Sequence, residues 1–375
     1  MSSERLAGGS LAGLRQINVK ETLRALRQLR GQSTLAELAQ QTGLSRPTLR
    51  ASLAELEVQG WVSVTEAAPG QMGRPARRFG FRSASNLVLG VDLGPHKIDL
   101  RFTDLNGECV HQQRAEVPAG LEVSPAMLVE LIQNALDAIP APASLWYVVV
   151  GFPGVVADSG MVIRSFVLPD WTSRPANEEL AELLGVPVAL ENDANLAAYA
   201  ESTIGAGRGA NSLVYFMVGT RVSVGVVIHG RVYRGAHGAA GEVGLYPEAA
   251  WPDPRKRLLS QVADQPGLDE AAAIAGVFTA AERGDPVARA AVAEFCELLS
   301  LPLAAVVLTL DPDAVVIGGG MARLGARLLD PLRAALGEAI WHRVELRLAD
   351  YADDSVVRGA VGKALQSVDE QILGL

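Results

Sequence analysis

Leu87-Val88-Leu89-Gly90-Val91-Asp92-Leu93-Gly94 is an apolar run closed by a carboxylate and a glycine, the pattern of a buried strand that ends where chemistry can begin. Similar runs follow at Trp146–Val150, Val188–Leu190, Leu213–Val218, Val222–Ile228 and Ala314–Ile317, with helical stretches between several of them. Strands alternating with helices predict a layered α/β body. A length of 375 residues predicts two or three folded units. Hydrophobic residues at 49% and charged residues at 20% supply sizeable cores and exclude a disordered chain.

Upstream of that strand, Ser83 to Asn86 is a short polar connection, and the chain before it has a different character. The formal charge of the whole is −9, which by itself disfavours a nucleic-acid partner. Residues 1–84, however, carry twelve Lys and Arg against six Asp and Glu, so the acidic excess belongs to the rest. That asymmetry predicts a DNA-binding unit joined to an acidic body.

The local signals agree. Ile17, Val19, Leu23, Leu26 and Leu29 recur at helical spacing among basic residues. Thr34 and Glu37 have capping-box spacing and predict a short second helix ending near Gln41. Gly43 can turn the chain, and Ser45 can cap a third helix from Arg46 to about Gln59, which together predict a helix-turn-helix. Leu49, Leu53 and Leu56 would face the core of that helix. Ser45, Arg46, Thr48 and Arg50 would face a major groove. A strand at Trp61–Val64, a Gly- and Pro-rich segment from Ala67 to Ala76 and a return strand at Arg77–Arg82 predict a wing, whose Arg74, Arg77 and Arg78 suit a narrow minor groove.

Only two cysteines, Cys109 and Cys296, occur, which excludes a disulfide framework and a multi-thiolate zinc site. The apolar stretch Leu299–Leu310 holds Pro302 and is shorter than the ~20 residues of a membrane span. No export signal is visible, and a cytoplasmic protein without a membrane partner is expected.

Five ordered segments of the body carry a resemblance: Asp92-Leu93-Gly94, Gly151-Phe152-Pro153-Gly154, Glu191-Asn192-Asp193-Ala194-Asn195, Gly235 through Glu242-Val243-Gly244, and Asp311-Pro312-Asp313 through Gly318-Gly319-Gly320. With the N-terminal unit, this set resembles the ROK family of sugar kinases and sugar-responsive repressors. The resemblance implies an actin/hexokinase-like two-lobed kinase body preceded by a winged helix-turn-helix, divided as residues 1–84, 85–200 and 201–375. It places Asp193 where family kinases have the base that deprotonates the sugar hydroxyl, and Asn192, Glu242 and Glu270 where they bind sugar hydroxyls.

The chain departs from the family at both phosphate turns. Asp-x-Gly-Gly-Thr is replaced by Asp92-Leu93-Gly94-Pro95-His96, in which Pro95 removes an amide donor. Gly-Thr-Gly-x-Gly is replaced by Gly219-Thr220-Arg221-Val222-Ser223, with Arg221 where a nucleotide phosphate would pass. The family zinc ligands are replaced by Leu245, Gln261, Ala263 and Leu268, so no metal is expected. Val167 stands at the Asn of the family's Asn-Leu-Pro-x-Trp segment. Gly318-Gly319-Gly320 suits a tight strand-to-helix turn as well as an adenosine segment.

These readings predict a transcriptional regulator, a repressor, that binds double-stranded DNA as a homodimer or dimer of dimers and senses a sugar or sugar phosphate without a cofactor. His96 and Arg221 are candidates to meet a phosphate. The alternatives are an ATP-dependent sugar kinase using Asp193, and a regulator controlled by a protein partner without a small ligand.

Overall fold

The computed structural model describes residues 11–29, 31–66, 77–82, 86–118, 120–140, 144–219, 221–245, 253–261 and 270–373. In the N-terminal unit, α1 (Leu11–Gln28), α2 (Leu35–Thr42) and α3 (Arg46–Val58) pack around Val19, Leu23, Leu26, Leu38, Leu49 and Leu53. Ile17, expected on the same stripe, is 57% exposed. It lies two positions from Val19, which on a helix is about 200° of rotation, so the two cannot face one core.

The caps are those the sequence announces. The Thr34 amide donates to Glu37 Oε2 at 2.7 Å and the Glu37 amide donates to Thr34 Oγ1 at 3.3 Å. Gly43 ends α2 with φ +70°, and the Ser45 hydroxyl accepts from the Thr48 amide at the start of α3. β1 (Gln32–Thr34), which no sequence signal marked, pairs with β3 (Arg77–Phe81), and β3 pairs with β2 (Val62–Glu66). The Ala67–Ala76 segment of the expected wing, with Arg74, lies outside the described residues.

The body begins with β4 (Asn86–Leu93), β5 (Lys97–Asp104), β6 (Cys109–Glu116), α4 (Pro125–Asp137) and β7 (Ser144–Phe152). The ribbon β8 (Val155–Val156) and β9 (Val162–Arg164), α5 (Ala176–Leu184), β10 (Val188–Asn192) and α6 (Asp193–Thr203) follow. The second half holds β11 (Ser212–Val218), β12 (Val222–Ile228), β13 (Arg231–Val232), α7 (Arg255–Ser260), α8 (Glu270–Glu282), α9 (Pro286–Leu310), β14 (Ala314–Gly318), α10 (Ala326–Ala339), β15 (Glu345–Leu348) and α11 (Ser355–Leu373).

Two five-stranded sheets among the described residues share one topology, β6-β5-β4-β7-β10 and β13-β12-β11-β14-β15. In each, the central strand, β4 or β11, pairs antiparallel with β5 or β12 and parallel with β7 or β14, which is in turn parallel to β10 or β15. Short turns join the antiparallel neighbours, whereas helical crossovers are needed for the parallel ones. The body is therefore one α/β plan used twice.

α11, last in the sequence, does not stay with the second sheet as a division at residue 200 would have it. It packs across β4, β5, β7 and α6, burying Val356, Ala360, Ala364 and Val368 in a core shared by both halves. Glycine permits this approach, since a Cβ on Gly359 would collide with the Leu196 carbonyl of α6. Glu201 of α6 is fully buried and binds the start of α11. It accepts from Ser355 Oγ at 2.8 Å, the Ala206 amide at 2.9 Å, and the Asp350 and Tyr351 amides at 3.1 Å each.

The other end of α11 meets the N-terminal unit. Asp369 pairs with Arg27 of α1, and Arg27 also donates to the Leu105 carbonyl at 2.8 Å. Beside them Trp61 stacks on Phe81, and its ring meets Trp146 of β7 edge-on at 4.8 Å. α9 runs for 25 residues and is apolar enough to cross a membrane by length and composition, longer than the stretch noted in the sequence. Its Phe295, Leu299, Leu303 and Val307 are fully buried in the core of the second sheet, the place of a core helix.

Candidate functional site

A cleft of about 170 Å³ opens where the two sheets face one another. Its walls come from Pro95 after β4, Pro153 and Gly154 after β7, Asn192 and Asp193 at the β10–α6 junction, the β11–β12 hairpin, and Glu242. Strand ends and the loops that leave them form such crevices in α/β sheets because the strands stop there while their connections diverge.

Asn192 caps α6, its Oδ1 accepting the Asn195 amide at 3.0 Å. Its Nδ2 donates to Glu242 Oε1 at 2.9 Å and to the Gly154 carbonyl at 3.1 Å, so one side chain ties the two halves across the cleft. Glu242 reaches it because the loop after β13 lies flat on β12. A Cβ on Gly241 or Gly244 would collide with the Val224 or Val222 carbonyl.

Three of the four residues expected to bind hydroxyls, Asn192, Asp193 and Glu242, thus converge. Glu270 does not line the cleft. It starts α8, half exposed, and accepts from Arg255 Nη1 at 2.6 Å, an ion pair that holds it elsewhere.

Burial pushes the Asp193 carboxyl up to about 7, with the negative charge of Asp92 adding to the effect, and burial pushes Asp92 up to about 6. Burial also raises Glu242, against the pull of Arg221. Lys97, which the sequence reading passed over, faces this group: its Nζ is 2.6 Å from Asp99 Oδ2 and 3.5 Å from Asp92 Oδ2. Arg114 clamps Asp99 from the other side through two hydrogen bonds.

The raised carboxyls bind their protons more tightly in the folded chain than in the unfolded one, where Asp titrates near 3.8. Their contribution is therefore full at about pH 4 and is lost as the pH rises toward 7. Asp193→Asn keeps the shape and removes the charge. The variant is expected to melt above the native chain at pH 8 and by a smaller margin at pH 5. Thermal melts across that range check this, and an equal offset at both pH values contradicts it.

The first turn closes as a hairpin, the Gly94 amide donating to the Lys97 carbonyl at 2.9 Å, and His96 is exposed at its tip, off the cleft lining. In the second turn Arg221 Nη2 donates to the Gly244 carbonyl at 3.1 Å, a tie between the hairpin and the Glu242 loop. Thr220 lies outside the described residues. Gly318-Gly319-Gly320 forms a tight turn from β14 into a 3-10 helix, where a Cβ on Gly319 would stand 2.7 Å from the Val218 carbonyl. Of the four replaced zinc ligands, Leu245 and Gln261 are described, while Ala263 and Leu268 lie outside the described residues. Among the described residues there is no group of three or more His, Cys, Asp or Glu side chains placed to hold a metal.

On the N-terminal unit, Arg46 and Arg50 are exposed on the first two turns of α3, at the edge of the stripe that buries Leu49 and Leu53. The Ser45 and Thr48 hydroxyls beside them bond to each other at 2.8 Å. Arg77 and Arg78 are exposed at the start of β3, and Arg78 Nη1 also donates to the Gln32 carbonyl at 3.2 Å.

Comparison with known proteins agrees with this geometry. The ROK family profile matches residues 88–250 and 256–366, and the IclR helix-turn-helix domain profile matches residues 21–66. A xylose repressor from Caldicellulosiruptor bescii is 24% identical over 95% of this chain and 97% of its own. A glucokinase from Halalkalibacterium halodurans is 29% identical over 72% of this chain and 92% of its own. Among solved structures, a ROK family transcriptional regulator, a homologue of the E. coli MLC protein, shares the fold over 96% of this chain and 98% of its own, with a TM-score of 0.71 at 18% identity. With the two halves of the body and the cleft between them all inside the matched segments, the chain belongs to the ROK family.

Proposed function

We propose that this protein is a DNA-binding transcriptional repressor whose kinase-like body senses a sugar or sugar phosphate and transfers no phosphate. One observation carries the reading: Arg221 occupies the second phosphate turn and is tied across it to the Gly244 carbonyl. Pro95 takes an amide from the first turn, and Lys97 supplies Asp92 with a cation from the chain itself. A magnesium nucleotide does not fit residues arranged this way. The similarity to the repressor spans the N-terminal unit, whereas the similarity to the glucokinase covers 72% of the chain, which supports the same choice.

The partners are double-stranded DNA and a polyhydroxylated effector, and the protein acts in the cytoplasm as a homodimer or dimer of dimers, so that paired recognition helices meet paired half-sites. Asn192, Asp193 and Glu242 are the hydroxyl-binding residues. Ser45, Arg46, Thr48, Arg50, Arg74, Arg77 and Arg78 face the DNA. A contiguous set of contacts joins the two sites: Asn192 and Asp193 start α6, Glu201 of α6 holds the start of α11, and Asp369 of α11 holds Arg27. A ligand that binds one arrangement of the lobes better than another shifts the DNA-binding units by that difference in affinity.

The retained Asp193 favours a second reading, an ATP-dependent sugar kinase. A coupled assay with magnesium-ATP and either glucose or xylose is expected to give no turnover above background. Turnover that disappears in Asp193→Asn would overturn the sensor reading.

A further inference from the structure

Arg164, at the end of β9, and Arg221, from the other half of the body, both lie on the ring of Phe166. Their guanidinium carbons are 4.4 and 4.5 Å from its centroid. All three side chains line the mouth of the cleft. Two cations on one ring repel each other, and the ring offsets only part of that repulsion. Among the described residues neither arginine has a carboxylate partner within ion-pair distance, and the one hydrogen bond between them is that from Arg221 to the Gly244 carbonyl.

The backbone carrying this pair is held. Ser165, between Arg164 and Phe166, is buried, donates to the Pro153 carbonyl at 2.7 Å and accepts from the Leu168 amide at 3.0 Å. A Cβ on Gly154 would collide with the Arg164 carbonyl, so β9 lies close against the loop after β7. The arginines are therefore presented from a fixed frame, which lowers the entropy lost on binding.

The cleft thus gathers Asp193, Glu242 and Asn192 with two guanidinium groups that form no ion pair among the described residues, Arg221 lying near enough to Glu242 to favour its charged form. At about 170 Å³ it is smaller than the ~300–1,000 Å³ of pockets for drug-sized ligands, a size that suits a single sugar ring. Planar guanidinium forks match phosphate oxygens in pairs. We propose that Arg164 and Arg221, aligned by Phe166, form an anionic subsite that takes the phosphomonoester of a sugar phosphate, so that the effector is the phosphorylated sugar. His96, exposed at its hairpin tip, takes no part. The assignment rests on the sugar-sensing reading above and narrows its ligand class.

Isothermal titration of the full-length protein with glucose, xylose, glucose 6-phosphate and xylose 5-phosphate tests it. At least one phosphorylated sugar is expected to bind about tenfold or more tightly than its parent. That ratio should fall below about threefold in Arg164→Ala and in Arg221→Ala, should fall partway in Arg221→Lys, and should persist in His96→Ala. Both arginines are on the surface, and an unchanged circular dichroism spectrum separates loss of binding from loss of fold. Parent and phosphorylated sugars binding equally would overturn the subsite and leave sugar sensing intact. A preference that survives removal of both arginines would also overturn it. Absence of binding by all four compounds would overturn the sensing reading and the subsite with it.

Discussion

Replacing Arg46 and Arg50 together by alanine is expected to weaken operator binding by about two orders of magnitude. Both side chains stand exposed on the first two turns of α3, one turn apart, while Leu49 and Leu53 on the same helix are fully or almost fully buried. The helix itself should survive, because its start is held by the Ser45 cap and its inner face by the α1–α2 core. The loss should therefore appear in DNA binding with the melting temperature unchanged. If one arginine meets a base and the other a phosphate, the single variants differ: a base contact relaxes sequence preference, whereas a phosphate contact lowers the salt slope by about one. Fluorescence anisotropy at several salt concentrations reads both. Unchanged affinity in the double variant would place the DNA on another face.

Glu201→Ala is expected to destabilise the body by about 3–5 kcal/mol, the scale of breaking a buried charge network from one side. The carboxylate is fully buried and accepts from four donors, supplied by Ala206, Asp350, Tyr351 and Ser355. Truncation removes the acceptor that all four share. The donors lie just after α6 and on the segment from Asp350 to Ser355 that leads into α11, so the damage should centre on that junction, with faster amide exchange there than in the N-terminal unit. Glu201→Gln keeps one acceptor oxygen and should lose less. A melting temperature within one degree of the native chain would show that the staple contributes nothing to stability.

Much of this architecture was legible in residues because the signals were local. The Thr34 and Glu37 box, Gly43 and Ser45 each act within a few positions, and each cap formed as read. Strands buried on both faces announce themselves as apolar runs, which is why β4, β7, β11, β12 and β14 were found. β5 and β6 were not. Lys97–Asp104 interleaves charged and apolar residues, and Cys109–Glu116 is an edge strand whose side chains are half-buried or exposed, so neither makes such a run.

Within the site, Asn192, Asp193 and Glu242 stood out as parts of motifs, whereas Glu270 stands off the cleft in an ion pair with Arg255, a residue no motif mentions. Lys97, Arg164 and Phe166 read singly as surface residues. Their meaning comes from what the fold sets beside them. Glu201 is the extreme case: a glutamate in an alanine-rich helix reads as solvated, since such residues are rarely buried unless paired. Three of its four donors sit about 150 positions away in the sequence.

Occupancy of the cleft is expected to set affinity for DNA. This is tested most directly by measuring the binding of the full-length chain to a duplex selected from a random pool, with and without each sugar and sugar phosphate. One of these ligands should change the dissociation constant by about tenfold or more, and Asn192→Ala should abolish the response while leaving ligand-free DNA binding in place. A ligand that binds the cleft by calorimetry and yet leaves the DNA affinity unchanged would contradict the account.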